Sequence, residues 1–244
     1  MEVHHHAHTA RKKWTHYFWE FLMLFLAVFC GFMAENFREH QVEHQREKQY
    51  MQSLLTDIRD DTAEISKSMS MALKAFAYED SVIFYLYNNP PTDFIADQFL
   101  TFDLYSLSRL KVVFHGATAQ QLKNSGNLRL IRHQDLAREI SLYWNEQENT
   151  QISLDRYLEY RNRGRQFEEK LFVFSDYDLV KAGLIKSSAK GARVIQSNPV
   201  LWSEYSNILS HCHITVANYL EQLKKMLNQA QGLISSLQKK YSLK

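Results

Sequence analysis

The sequence predicts an all-α protein, on three observations. Seven glycines and three prolines in 244 residues are few, and they cluster at breaks between longer runs. Those runs are rich in Leu, Gln, Lys and Glu. Two of them repeat apolar residues at steps of three and four, the period of one helix face. The expected architecture is an N-terminal transmembrane helix continuing into a long helix. That helix packs as a rod against a long C-terminal helix, with shorter helices beside them. By segment, 1–16 is a His-rich basic tail, 17–37 a transmembrane signal anchor, 38–50 a polar helical stalk and 51–244 a helical soluble domain.

The anchor rests on Phe21–Ala34, an apolar run of 14 residues without a charge. As a helix it spans about 21 Å, short of a ~30 Å hydrocarbon core. Tyr17, Phe18, Trp19 and Phe37 lengthen it to about 32 Å, which places Glu20 and Glu35 at the two headgroup layers. Trp14, Tyr17 and Trp19 supply an aromatic belt. A cleaved signal peptide is the alternative, but it needs small residues one and three places before the cut. Phe32 precedes Ala34, and Phe29 precedes both Cys30 and Gly31 where small residues are wanted, so the anchor is expected to stay. Arg11, Lys12 and Lys13 crowd its N-terminal flank, whereas Arg38, Arg46 and Lys48 are spread along the other. Local density therefore puts the N-terminus in the cytosol and the C-terminal domain in the periplasm of a bacterial inner membrane, single-pass. Ala27, Gly31 and Ala34 share one face of the span, a small-residue pattern that lets membrane helices touch.

Beyond the anchor, a helix is expected to run from Glu35 to about Tyr87 and to stop at Asn88-Asn89-Pro90-Pro91. Arg38–Gln49 contains only Val42 as an apolar residue and reads as solvated. Met51, Leu54, Ile58, Ile65, Met69, Leu73 and Phe76 form the expected buried seam. Asp57, Asp60, Asp61 and Glu64 form the expected charged outer face. Thr92-Asp93 opens a second stretch, Phe94–Phe114, dense enough in apolar residues to leave helix and strand both open, and His115-Gly116 breaks it. Thr118 is the expected N-cap of a short helix ending at Ser125-Gly126-Asn127. A longer helix follows from about His133 to Asn162, ended or kinked at Arg163-Gly164, and Phe167–Phe174 forms another helix or an edge strand. Ser175–Ser197 is the least regular region. The last helix starts at Asn198 as N-cap and Pro199 as first residue. Its seam is Leu201, Tyr205, Ile208, Cys212, Thr215, Tyr219, Leu223, Met226, Ala230, Leu233 and Leu237.

KKWTHYFWEFLMLFLAVFCGFMAENFRE followed by REKQYMQSLLTDIRDDT, and the later ATAQQLKNSGNLRLIRHQDLAREISLYW (Ala117–Trp144), resemble a family of single-pass membrane proteins of unknown function common in Bacteroidota. The resemblance covers the anchor, the first long helix and the middle motif, and fades after Trp144. It implies membrane attachment and carries no activity, cofactor or catalytic residue.

The residues agree with that silence. A net charge of +2 and the absence of a basic stripe argue against nucleic acid. Cys30 and Cys212 lie in anchor and helix, so no disulfide is expected between them. Ser125 lacks a nucleophile elbow, and no catalytic constellation appears. His4, His5, His6, His8 and His16 form a metal-capable tail, and His40 and His44 share a helix face, yet solvated histidines explain both and no metal or cofactor is expected. His211 and His213 flank Cys212 but diverge on a helix. Arg156, Arg161, Arg163 and Arg165 gather around Gly164 as a candidate anion contact, with Asp155, Glu159, Glu168 and Glu169 near enough to neutralise it. The expectation is a non-enzymatic, membrane-anchored interaction protein, a scaffold or accessory subunit. Its expected partners are the lipid bilayer and a second copy or another membrane protein. A ligand- or stress-sensing periplasmic domain is the alternative.

Overall fold

A computed structural model describes residues 14–89, 94–95, 97–173 and 192–243. Among them are five helices: α1 (Trp14–Asn88), α2 (Asp97–Ser106), α3 (Ala117–Asn124), α4 (Gln134–Leu171) and α5 (Pro199–Tyr241). A short 3-10 turn, Asn127–Leu130, follows α3. Two two-residue strands, β1 (Phe94–Ile95) and β2 (Ala192–Arg193), pair antiparallel, and a bridge from Phe172 to Val194 extends the pairing. The protein is all-α, as its composition predicts. The chain divides into two compact units between Gln49 and Tyr50.

In the first unit α1 exposes its large apolar side chains from Trp14 to Phe37, apart from the partly buried Leu22. Along the polar stretch that follows, His40 faces Glu43 at 3.7 Å and His44 faces Glu47 at 3.4 Å, pairs one turn apart.

The second unit is built on three long helical segments. Residues 50–88 of α1 run antiparallel to α5: the Ser68 and Tyr219 hydroxyls share a hydrogen bond of 2.7 Å, and Phe76 stacks on His213 at 4.0 Å. α4 is antiparallel to α5 as well, with Lys240 on Asp135, Lys225 on Glu146 and the Tyr160 ring on His211. The core between them holds Met51, Leu54, Ile58, Ile65, Ile140, Leu154, Leu209, Leu223 and Met226, all buried. Each such side chain contributes roughly 1.5–3 kcal/mol by leaving water.

The buried seam of α1 is more regular than its large residues suggest. Positions 51, 54, 58, 61, 65, 68, 72, 75, 79 and 82 are all buried, an unbroken alternation of three and four. After Ile65 these positions carry Ser68, Ala72, Ala75 and Glu79. The expected seam through Met69, Leu73 and Phe76 is therefore one residue out of phase: Leu73 is 50% exposed, while Met69 and Phe76 are partly buried. Asp61 also leaves the expected outer face, being 1% exposed.

Other boundaries move for local reasons. α2 ends at Ser106 rather than Phe114, and residues 108–116 are neither helix nor strand. Thr118 is not a cap: Gly116 precedes α3, and the Thr118 amide donates to Asp57 Oδ2 at 3.2 Å, so α1 supplies the carboxylate at this helix start. Gly126, at φ +65°, ends the segment as expected. α4 passes Gly164 unbroken and absorbs the stretch from Phe167. Gly164 is there for packing, since a Cβ would lie 2.7 Å from Leu107 Cδ1. Asn198 caps α5 as expected, its Oδ1 accepting from Val200 N at 3.0 Å. The expected α5 seam is buried throughout except Leu201, which is partly buried. Most of the stretch read as least regular lies outside the described residues.

Candidate functional site

Ala27, Gly31 and Ala34 lie on α1 at steps of four and three, on one face, and all are exposed. A Cβ at Gly31 would meet nothing within 4 Å. This stretch holds the one helix among the described residues that is long and apolar enough to cross a membrane, with a mean hydropathy of 1.9 and none of that window buried.

The four arginines do not converge. Arg161 donates from Nε to the Leu107 carbonyl at 3.0 Å and from Nη1 to Asn162 Oδ1 at 2.9 Å. Arg165 donates from Nη2 to the Leu104 and Leu107 carbonyls at 3.3 and 3.2 Å, and from Nη1 to Glu168 Oε2 at 2.6 Å. Two arginines of α4 thus satisfy the carbonyls left open where α2 ends, and place positive charge at that C-terminus. Arg163 lies over the Tyr160 ring at 5.2 Å, and Arg156 is exposed.

Sequence reading missed the polar interior these arginines border. Asp103 of α2, Glu168 of α4 and Tyr205 of α5 are fully buried together. The Tyr205 hydroxyl bonds to Asp103 Oδ1 and lies 3.3 Å from Glu168 Oε1. Burial and the neighbouring Asp103 push the Glu168 carboxyl well above the usual range, against the pull of Arg165. Close by, the Tyr157 hydroxyl donates to the Ser108 carbonyl at 2.7 Å.

Two further buried carboxyls contrast sharply. Asp61 is well partnered: the His115 amide donates at 2.6 Å, Tyr143 OH at 2.7 Å and Gln147 Nε2 at 3.0 Å, with His115 Nδ1 at 3.1 Å. Burial still outweighs these bonds and raises its affinity for a proton. Glu79 is fully buried, and neither carboxyl oxygen has a hydrogen bond. His213 Nδ1, also without one, is 3.8 Å from Glu79 Oε2. Burial alone pushes the Glu79 carboxyl up to about 9. The Cys212 thiol, buried beside it, is likewise held protonated by burial and by Glu79, the opposite of a reactive cysteine.

Burial raises the proton affinity of Glu168, Asp61, Glu79 and Cys212 alike, and the hydrogen bonds of Asp61 and Glu168 join separate helices. Both Asp61 and Glu79 occupy positions of the α1 heptad seam, the one signal that marks them in the sequence. Among the described residues no three His, Cys, Asp or Glu side chains gather in a way that would hold a metal ion. His211 and His213 diverge, His211 onto Tyr160 and His213 onto Phe76. Of the histidine-rich tail only His16 falls within the described residues. In comparison with known proteins, no family model, curated protein or solved structure matches the chain.

Proposed function

We propose that this chain is a membrane-anchored helical interaction protein, a scaffold or accessory subunit of a membrane complex in the inner membrane of a bacterium. Its N-terminus faces the cytosol and its helical domain the periplasm, a reading supported by the density of Arg11, Lys12 and Lys13 before the apolar stretch. The observation that carries the reading is the contrast between the two units. The described residues of the second unit enclose an apolar core of their own, whereas nearly all large apolar side chains from Trp14 to Phe37 are exposed among the described residues. An apolar stretch of that length is stable in lipid or against another membrane helix. The second reading, a domain that senses its surroundings, is favoured by Glu79 and His213, a fully buried carboxyl and a partly buried imidazole whose facing atoms make no hydrogen bond.

Affinity purification from native membranes with identification of co-purifying proteins tests the first reading. The expected result is a carbonate-resistant membrane protein that brings down a reproducible set of membrane partners or a second copy of itself. Recovery in the soluble fraction, or as a lone monomer, would overturn it. A reporter active only in the periplasm, fused after Lys244, is expected to work; activity from a cytosolic reporter alone at that point would reverse the orientation.

A further inference from the structure

The second unit has unlike ends. α1 enters it at Tyr50, whose hydroxyl accepts a hydrogen bond of 3.0 Å from Asn127 Nδ2. The same end receives the last turn of α5: the His133 ring meets Tyr241 edge-on at 5.6 Å, and Lys240 pairs with Asp135. We propose that this entry end binds the headgroups of anionic phospholipids. The proposal rests on the membrane-anchor reading and adds to it a second contact with the bilayer, made by the helical domain.

Charge is the first argument. Residues 50–56 of α1 and 234–243 at the end of α5 carry Lys239 and Lys240 and no acid. Residues 80–88 and 199–207, at the opposite end of the same two helices, carry Asp80 and Glu204 and no base. Beside the entry end, residues 127–140 add Arg129, Arg132 and Arg138 against Asp135 and Glu139. Lys240 takes up Asp135. Arg129, Arg138 and Lys239 are exposed and make no ion pair among the described residues. A basic side chain beside an anionic membrane gains about fivefold in binding, the equivalent of ~1 kcal/mol.

Reach is the second. Thirteen residues of α1 separate Phe37 from Tyr50, about 20 Å of helix. The headgroup layer occupies roughly 5–7 Å beyond the hydrocarbon, and its potential extends about 8 Å further at physiological salt. Lysine and arginine stems span what remains. The anchor keeps the basic end within this distance, so contacts too weak to capture a free protein are populated in a tethered one.

The test uses the full chain, labelled with ¹⁵N-glycine, in lipid nanodiscs that contain a little phosphatidylcholine with a nitroxide on its headgroup. Gly126 precedes the turn at the entry end, and Gly164 lies far along α4. Gly126→Asn identifies the first signal by its loss, and ¹³C-carbonyl arginine marks the second, since only Gly164 follows an arginine. Discs of equal parts phosphatidylcholine and phosphatidylglycerol are expected to broaden Gly126 more than discs of phosphatidylcholine alone, and to leave Gly164 unchanged. Salt near 1 M, which shortens the Debye length to about 3 Å, should remove the excess. Arg129→Gln together with Lys239→Gln should cut it at least about fivefold. Lys224→Gln, exposed about four turns back along α5, should not. Equal broadening of Gly126 in the two lipids would overturn the proposal, as would an excess that survives in the double variant or appears equally at Gly164. Recovery of the chain in the soluble fraction after carbonate extraction would remove the anchor reading, and this proposal with it. A carbonate-resistant chain without the lipid-dependent excess would remove the headgroup contact alone.

Discussion

At the scale of single residues, the interior of the second unit is set apart by the different treatment of its carboxyls. Asp61 receives donors from α4 and from the extended chain before α3, so its burial ties three segments together. Glu79 receives none. Its neighbours are Tyr157 from α4, with Arg161 and Arg165 beyond, and Cys212 and His213 from α5, with His213 Nδ1 3.8 Å from Glu79 Oε2. An unfolded glutamate titrates near 4.5, whereas burial raises folded Glu79 to about 9. Between those values the folded chain binds a proton that the unfolded chain has released. Stability from this group is complete below about pH 4.5 and declines as pH rises through the window to 9, by up to about 1.4 kcal/mol per unit. Glu79→Gln keeps the shape and removes the titration. Thermal unfolding from pH 5 to 9 is expected to fall less steeply in the variant, which should be the more stable protein at pH 8. Parallel curves for variant and parent would show that Glu79 is not buried as a neutral acid.

At the scale of elements, helix type and the two long partners were legible because period, proline and glycine report them directly. The phase of α1 was not. Large apolar residues at 69, 73 and 76 mimic a seam, while the real one passes through serine, alanine and glutamate, which carry no hydrophobic signal. Only tertiary contact distinguishes the two, and a strict three–four alternation from Met51 would have found it. The arginines misled in a similar way. Clustered in sequence, they are dispersed by the helix, and two are consumed by carbonyls of a segment some fifty residues earlier. Gly164 shows the same limit, since a glycine that admits Leu107 looks in sequence like one that ends a helix. Gly164→Val would press into a fully buried leucine and add a β-branched residue to the helix interior. A cost of about 1–3 kcal/mol is expected, seen as a lower Tm; an unchanged Tm would mean that Leu107 does not sit against α4. Leu223, fully buried on α5, is the complementary probe. Leu223→Asp places a carboxylate among apolar neighbours and is expected to cost on the order of 3–5 kcal/mol, measured by thermal unfolding. A variant as stable as the parent would remove Leu223 from the core.

At the scale of the whole molecule, membrane attachment asks more of α1 than length. Once inserted, a helix gains little from burying apolar side chains against another, because lipid is equally apolar. Association then depends on close backbone approach. Ala27, Gly31 and Ala34 put small side chains on one face of the exposed stretch, and Gly31 has open space where a side chain would stand. If a second copy or a partner helix lies there in the bilayer, Gly31→Ile will hold the backbones apart. Isoleucine is lipophilic, so insertion itself should be unaffected. The expected outcome is a clear drop in intermembrane-helix crosslinking and in partner recovery, with the amount of protein in the membrane unchanged. Val28→Ile adds a methylene on a different face and should do little, which separates packing from bulk. Should Gly31→Ile crosslink and recruit partners like the parent, this face meets only lipid. Any association would then have to come from the helical domain.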